Sequence, residues 1–575
     1  MTRYIITILG RDYNNYIIKN LGENLGKEIE QNIVFNPLEQ KLFDKDVFSY
    51  DNNKLNIIKS PIINNNNIPG VLILENNKTY GRNVIPGKKY TLKNQAKMLY
   101  KCVPDDPNIP EFLVPYEIKT LGFSKIQSNL YVTIQFTKWE DKHPFGVISQ
   151  IIGSVDILDN FYEYQLYCKD LNHSITEFNK TTTHNVKTIV HDNYNKFINF
   201  VCLKYKNSFQ DRTNADVFSI DPQSSKDFDD AFSISKLYNN QIILSIYIAN
   251  VSIWLDVLQL WSEFSKRVST IYLPDKKRPM LPNILSDNLC SLKANELRFA
   301  FTMDVIIEDD TIIDIKYVNT LIKVKRNYVY EEPDLLGNSN YKLLLGVTSL
   351  ISQKYNFLNS IINDSHELVA YLMILMNYQS ATRLLKFKKG IFRSTTTNAS
   401  TPVLELRKWL YNSSGIYVNI DNFGRHNILD LDAYTHITSP IRRIVDLLNI
   451  IQLQECLNLI TLSPDAILFL NNWSNKIEYI NSNMKSIKKV QNDCNLLDFV
   501  SNKPQMVDKS YEGYCFDKTQ KPDGLYKYTV FLPELKFTAN IILSNDFENY
   551  EKNLFKLFIF NNENKFKKKV RLSLM

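Results

Sequence analysis

Ser219 to Phe232 reads SIDPQSSKDFDDAF, which crowds Asp221, Asp227, Asp229 and Asp230 into one short loop just before a strand-like run. Four like charges this close repel one another, and a bound cation is what relieves the cost of keeping them ionised. Oxygen ligands alone select a hard ion, Mg²⁺ or Mn²⁺, over zinc. Two such ions roughly 4 Å apart would activate a water and neutralise the leaving oxygen in phosphodiester cleavage. A solvated acidic loop and a calcium site fit the same residue types. An EF-hand beginning at Asp221 needs Gly at its sixth position and Glu at its twelfth, where the chain has Lys226 and Phe232. The EF-hand is excluded and the plain acidic loop stays open.

Downstream, DAFSISKLY and QIILSIYIANV alternate as half-buried strands do, and Asn239-Asn240 between them suits a two-residue hairpin turn. A helix is expected from Ser365 to Lys389. Asp364 and Glu367 have capping-box spacing, Leu368, Leu372, Leu375 and Met376 form one apolar stripe, and Gly390 follows a basic last turn. Two further helical stretches follow Pro440 and Pro464.

In YTHITSPIRRIVDLL (Tyr434 to Leu448), Ser439 suits an N-cap and Pro440 the first helical position, so Arg442 and Arg443 would leave the first turn. Cations are disfavoured there, and a bound phosphate would reverse that penalty. A surface arginine pair explains the residues equally well. In RVSTIYLPDKKRPMLPNILSDNLCSLKANELRF, prolines predict a fixed irregular loop in the first half, with Tyr272 placed to stack on a base or simply to pack.

Toward the N-terminus, short β-type runs such as Leu130 to Phe136 and Pro144 to Ile152 suggest small β-barrels, with a proline-rich break beginning near Val103. The last segment, from Met506, returns to strands and ends in the basic FKKKVRLSLM. At 575 residues several domains are required. The expected modules are 1–95, 96–185, 186–503 and 504–575, and no repeat period is visible.

Composition excludes several classes. Hydrophobic residues make up 44% and charged residues 22%, values of a globular protein, and no apolar run reaches the roughly 18–20 residues of a membrane span. Seven scattered cysteines, none in a C-x-x-C pair, argue against a disulfide framework or zinc ribbon and for a reducing compartment. With no secretory signal visible, a cytoplasmic setting is expected, viral or organellar ones included. The net charge of +7 permits a nucleic-acid partner without requiring one.

Taken together, the motifs resemble the ribonuclease II and ribonuclease R family, whose catalytic domain is called RNB. The resemblance lies in D-P-x4-D-x-D-D (Asp221 to Asp230), R-x4-Y-L-P with P-M-L-P and L-S-D-x-L-C-S-L-x-A-N-E (Arg267 to Glu296), L-V-A-x-L-M-I-L-M-N (Leu368 to Asn377) and Y-T-H-x-T-S-P-I-R-R (Tyr434 to Arg443). Upstream, Val103 to Pro110 and Trp139 to Gly146 resemble the second of the family's two cold-shock-type OB-folds. The fold implied is α+β and multidomain, an RNB α/β body flanked by two N-terminal cold-shock-type OB-folds and one C-terminal OB-fold.

The function implied is processive hydrolysis of single-stranded RNA from its 3′ end to nucleoside 5′-monophosphates, by a monomer using Mg²⁺ with Mn²⁺ as a substitute. Asp221, Asp227 and Asp230 would hold the metal, and Asp229, catalytic with Arg442 and counted with the metal set, would help position the metal or the terminal ribose. Arg442 would stabilise the pentavalent phosphate, and Tyr272 would stack on the 3′ base. Arg267 and Arg443 complete the expected RNA contacts. Departures from the family stand at Tyr247 and Asn250, where many members read H-I-A-D-V-S, at Ile450-Ile451 and at Gln491. The alternative is an RNB-fold protein that binds RNA with weak or no cleavage, although inactive members typically lose the aspartates kept here.

Overall fold

Asp230–Lys236 alternates only in part, and Ile242–Ala249 is buried on both faces from Leu244 to Ala249; in the computed structural model these strands pair antiparallel from Asp230↔Ile248 to Lys236↔Ile242. The turn is longer than the two residues expected, because the Leu237 N–H bonds to the Gln241 carbonyl at 2.7 Å and residues 238–240 lie between them; Asn240 is at φ 60, while Asn239 lies outside the described residues. The structure describes residues 3–21, 35–51, 54–84, 96–118, 127–190, 194–206, 208–237, 240–357, 362–395, 404–507, 509–562 and 567–575.

By internal packing the chain divides into two compact units. One comprises Met1–Asn172, Asp493–Lys509 and Leu557–Arg571, and the other His173–Asn492, Ser510–Lys556 and Leu572–Met575. In the first unit, the strands Tyr16–Asn20, Arg3–Ile8, Val47–Asp51 and Lys54–Lys59 form an open sheet. Ile68–Leu72, Met98–Pro104, Phe112–Tyr116, Phe145–Ser154 and Leu130–Lys138 then close into a barrel. The barrel therefore begins at Ile68, upstream of residue 96. Its proline-rich stretch from Val103 is a hairpin loop, because Met98–Pro104 and Phe112–Tyr116 pair across it from Met98↔Tyr116 to Cys102↔Phe112. Arg11 holds that loop through the carbonyls of Ile109 at 2.9 Å and Pro104 at 2.6 Å.

The second unit is built on a mixed sheet of seven strands. Their order is Phe209–Arg212, Thr311–Lys323, Leu297–Glu308, Ile242–Ala249, Asp230–Lys236, Phe218–Asp221 and Arg326–Val329. Phe218–Asp221 and Asp230–Lys236 run antiparallel with Phe218 opposite Phe232. The end of one strand, Asp221, thereby lies beside the start of the next, Asp230, and the aspartate loop is the connection between them. Strand pairing, rather than the loop itself, brings the acids to one edge.

The helix Ser365–Lys386 covers this sheet. Its start follows the expected capping: Asp364 accepts the Glu367 N–H at 2.7 Å, and Glu367 reaches back to the Asn363 N–H at 3.1 Å. Leu368, Leu372, Leu375 and Met376 are fully buried, each contributing about 1.5–3 kcal/mol by removal from water. It ends three residues before Lys389, with Gly390 at φ +118 turning the chain into the strand Ile391–Ser394.

The helix expected at Pro440 starts instead at Ile444. Ser439 to Arg442 form a separate turn, in which the carbonyl of Ser439 accepts the N–H groups of both Arg442 and Arg443. Arg443 is extended (φ −139, ψ 128), since its backbone bridges to Ser269 and the next N–H bonds to Val268 at 3.0 Å. Long-range strand-like pairing thus overrides a local capping signal. Pro464 does open a helix, Pro464–Ser474, and Ile477–Asn502 follows it. Toward the C-terminus, Ser510–Gln520, Tyr526–Leu532 and Phe537–Leu543 pair antiparallel in sequence order.

Candidate active site

A cavity of about 750 Å³ opens at the edge of the sheet where Asp221 and Asp230 sit. Asp221, Asp227, Asp229, Asp230, Tyr272, Arg442 and Arg443 all line it. Arg267 does not line it: its guanidinium grips the carbonyls of His173 and Pro279, both at 2.8 Å, and so braces the loop that carries Tyr272.

The four aspartates are not equivalent. Asp229 is buried and accepts the Ile441 N–H at 2.9 Å, while Arg442 Nε stands 3.3 Å from its other oxygen. Burial pushes its carboxyl up to about 7 against the opposing pull of Arg442 and that N–H. Asp227 accepts from Lys277 Nζ at 3.2 Å and from the Tyr272 hydroxyl at 3.3 Å. Lys277 also holds Asp287 at 2.8 Å, and these two acids outweigh the burial that works against its charge.

Asp221 and Asp230, in contrast, each keep a buried Oδ2 with no hydrogen-bond partner. Burial raises Asp221 to about 6, and burial with Asp221 and Asp229 nearby holds Asp230 well above the carboxylate range. Two carboxylates that each keep one oxygen without a donor and are disfavoured as anions form a donor set for a hard cation. Among the described residues no group of three or more His, Cys, Asp or Glu side chains is gathered closely enough to cage an ion. A pair nevertheless suits Mg²⁺, which keeps waters and commonly takes only one or two carboxylates together with substrate phosphate oxygens. The residues present therefore fit Mg²⁺ better than an ion that needs an all-protein cage.

The lining also includes polar and basic residues to which the sequence assigned no role. Arg393 and His436 are among them, together with Asn377 and Tyr411. The strand Ile391–Ser394 is locked to the Tyr434 segment through Arg393 N–H to the Tyr434 carbonyl at 2.8 Å. Asn449 completes the lock, donating to the carbonyls of Ile391 at 2.9 Å and His436 at 3.0 Å. Arg393 Nη1 faces His436 Nε2 at 3.0 Å, and the Tyr417 hydroxyl faces His436 Nδ1 at 2.7 Å. Because a guanidinium only donates, Nε2 must accept, leaving the proton of the neutral ring on Nδ1. Burial and then the charges of Arg443, Arg393 and Lys488 hold this histidine well below its usual range. A strand arginine and a lone histidine carry no periodic signal, so only contact between distant segments reveals them.

Asn250 lies elsewhere. Its amide donates to Asn319 and Gln454, both at 3.0 Å, and accepts from Ser252 at 2.7 Å in a buried neutral network outside the cavity lining. Ile450 and Ile451 are core residues of the helix Ile444–Cys456, and Gln491 and Tyr247 are likewise absent from the cavity wall. The departures from the family motif thus fall around the site rather than in it.

Residues 209–343, which carry the four aspartates and Tyr272, match the family model of the RNB domain. The chain carries an RNB domain. It is similar to ribonuclease R and exoribonuclease 2: it is 26% identical to ribonuclease R of Chlamydia pneumoniae over 40% of this chain and 45% of that protein. Identity is 34% with ribonuclease R of Chlamydia trachomatis over 30% of this chain and 26% of that protein, and 37% with exoribonuclease 2 of Salmonella typhi over 23% and 21%. The matches thus span less than half the length of these curated relatives. In fold, the chain is similar over its whole length, and the whole length of the other chain, to Mycoplasma genitalium RNase R in complex with ribose methylated single-stranded RNA, with a TM-score of 0.66 at 15% identity. Yeast Ssd1, a pseudonuclease, shares the fold at a TM-score of 0.52 and 12% identity, over 96% of this chain and 80% of its own.

Proposed function

We propose that this chain is a hydrolytic 3′→5′ exoribonuclease that shortens single-stranded RNA and releases nucleoside 5′-monophosphates. The observation that carries the reading is one cavity lined by two carboxylates, Asp221 and Asp230, each with a buried Oδ2 that has no hydrogen-bond partner, and by an arginine, Arg442, held by Asp229. Mg²⁺, with Mn²⁺ as a substitute, supplies when bound a neutralising charge at the scissile phosphate and a lowered pKa for the attacking water.

Asp221 and Asp230 would hold that ion, with Asp227 completing the set once substrate draws Tyr272 and Lys277 away from it. Arg442 neutralises charge growing on the phosphoryl oxygens, the largest contribution available to a protein in phosphoryl transfer. Asp229 positions Arg442 and takes no part in the bond change. Tyr272, at the more exposed rim, offers its ring to the terminal base, a stack of about 1–3 kcal/mol. Arg443 contributes positive charge along the path of the backbone. The chain would act as a monomer.

A second reading, an RNA clamp without cleavage, is favoured by one observation: the fold is shared with a pseudonuclease. The two separate on a 5′-labelled single-stranded RNA incubated with Mg²⁺ or with EDTA, beside Asp229→Asn. A ladder shrinking from the 3′ end only with metal and the intact aspartate supports the nuclease. Retention of full-length RNA that is nevertheless bound, under Mg²⁺ and Mn²⁺ alike, supports the clamp.

A further inference from the structure

Of Asp221, Asp227 and Asp230, only Asp227 has both oxygens engaged among the described residues. Lys277 Nζ stands 3.2 Å from its Oδ1 and the Tyr272 hydroxyl 3.3 Å from its Oδ2, whereas Asp221 and Asp230 each keep an Oδ2 without a hydrogen-bond partner. Both groups on Asp227 come from one hairpin. Ile271–Tyr272 and Lys277–Arg278 pair antiparallel with Tyr272 opposite Lys277, and side chains directly opposite on such a pair share a face.

This hairpin is braced from within, because buried Arg278 donates to both oxygens of Asp275, at 2.6 and 2.8 Å, and to the Lys276 carbonyl at 2.8 Å. The ring that would stack on the terminal base and a lysine ammonium are therefore presented together to the same cavity. Lys277 is also held by Asp287, at 2.8 Å. Asp227 lines the cavity and Asp287 does not. The shorter contact anchors the ammonium outside the cavity lining, and the longer one reaches an acid assigned to the metal.

An ammonium and a divalent cation on one carboxylate repel each other. A cation that adds Asp227 to Asp221 and Asp230 displaces Lys277, and the displaced ammonium, still anchored on Asp287, is left with donors that Asp227 no longer uses. An RNA phosphate oxygen is an acceptor of matching charge for them. We propose that Lys277 is a phosphate-binding residue whose place in the empty chain is on Asp227, and that it couples the two ligands. Mg²⁺ releases the ammonium toward RNA, and RNA, by holding the ammonium, frees Asp227 for Mg²⁺. The coupling rests on the proposed exonuclease reading, which assigns the metal to these acids, and deepens it. Because it is a linkage of two binding equilibria, each ligand strengthens the other by the same factor.

The test reads binding and not turnover. Mg²⁺ is titrated calorimetrically into the full chain, alone and saturated with a ribose-methylated single-stranded RNA. Without RNA, Lys277→Met should bind Mg²⁺ about tenfold more tightly than wild type, the effect of removing one cation from beside the ligand. Lys277→Arg, which keeps the charge, should stay close to wild type. In an Asp227→Asn background the gain from Lys277→Met should largely disappear. RNA should tighten Mg²⁺ binding about fivefold more in wild type than in Lys277→Met.

An unchanged Mg²⁺ affinity in Lys277→Met overturns the proposal and makes the lysine a fixed ion pair. An equal gain in the Asp227→Asn background overturns it too, since the lysine then acts only as a general charge. Tightening by Lys277→Arg as large as by Lys277→Met would trace the effect to a disturbed hairpin, and an equal RNA effect in wild type and Lys277→Met removes the coupling. These outcomes are independent of the ladder of shortened RNA: coupling without shortening keeps the role of Lys277 and rejects the exonuclease, while shortening without coupling does the reverse.

Discussion

Arg442 Nε lies 3.3 Å from Asp229 Oδ2, a contact between residues 213 positions apart in sequence. The same guanidinium donates from Nη2 to Ser439 Oγ at 2.9 Å, so two acceptors fix its plane. A lysine ammonium is a single point charge that cannot bridge both. Arg442→Lys should therefore lower kcat by about 100-fold, the scale of losing one oriented donor to a developing negative charge. RNA affinity should change little. Single-turnover kinetics beside a binding titration decide the matter, and a kcat near wild type would remove Arg442 from the chemistry.

Thermal unfolding should report the metal without any turnover. Asp221 rises from 3.8 to about 6 on folding, so the native state holds its proton over that window and stability falls as pH rises through it. A cation bound to the charged form offsets this loss. Mg²⁺ should raise the Tm of the wild type more at pH 8 than at pH 5, and should not raise that of an Asp221→Asn, Asp230→Asn double variant. An undiminished Mg²⁺ response in the double variant would place the ion elsewhere.

Asn250→Asp tests whether that departure from the family motif bears on the chemistry. None of the hydrogen-bond partners of Asn250 is charged, so an aspartate there would be a buried carboxyl without a cation. Its folded pKa would stand above its unfolded one, and its stability deficit would grow as pH rises from 5 to 8. At pH 8 the expected loss is about 2 kcal/mol or more. Turnover per folded molecule should not change, because the residue does not line the cavity. Denaturant melts at both pH values, paired with active-site titration, measure this, and a gain in kcat would contradict it.

Lys488 provides the opposite pH dependence. Its pKa falls from 10.5 to about 7 on folding, so below pH 7 it is charged in both states and the full cost of burying the charge is present. Between about 7 and 10.5 the native state sheds the proton that the unfolded chain keeps, and stability rises with pH. Lys488→Met should therefore be more stable than wild type at pH 6, by about 2 °C or more in Tm, with the gap closing toward pH 10. A gap independent of pH would mean that the ammonium is hydrated in the folded state.

Much of the site was legible because its signals are local. The Asp221 to Asp230 spacing, the Asp364 and Glu367 cap and the two strands on either side of Asn240 are each read within a few residues, although the second strand is buried on both faces and not on one. Local rules also misled at Ser439-Pro440, where a good cap begins a turn and not a helix because Arg443 pairs with Ser269.

By itself the sequence determined the acid-rich loop, the strands that flank it, the α+β class and the family resemblance, since charge spacing and hydrophobic period are properties of neighbours along the chain. Only the tertiary structure decided which aspartates keep free oxygens, that Asn250 belongs to a buried network, and that Arg393, His436 and Arg443 line the same cavity as the acids. The physical reason is that hydrogen-bond partners, burial and electric field are set by residues that are close in space but far apart in the chain, as Asp229 and Arg442 are.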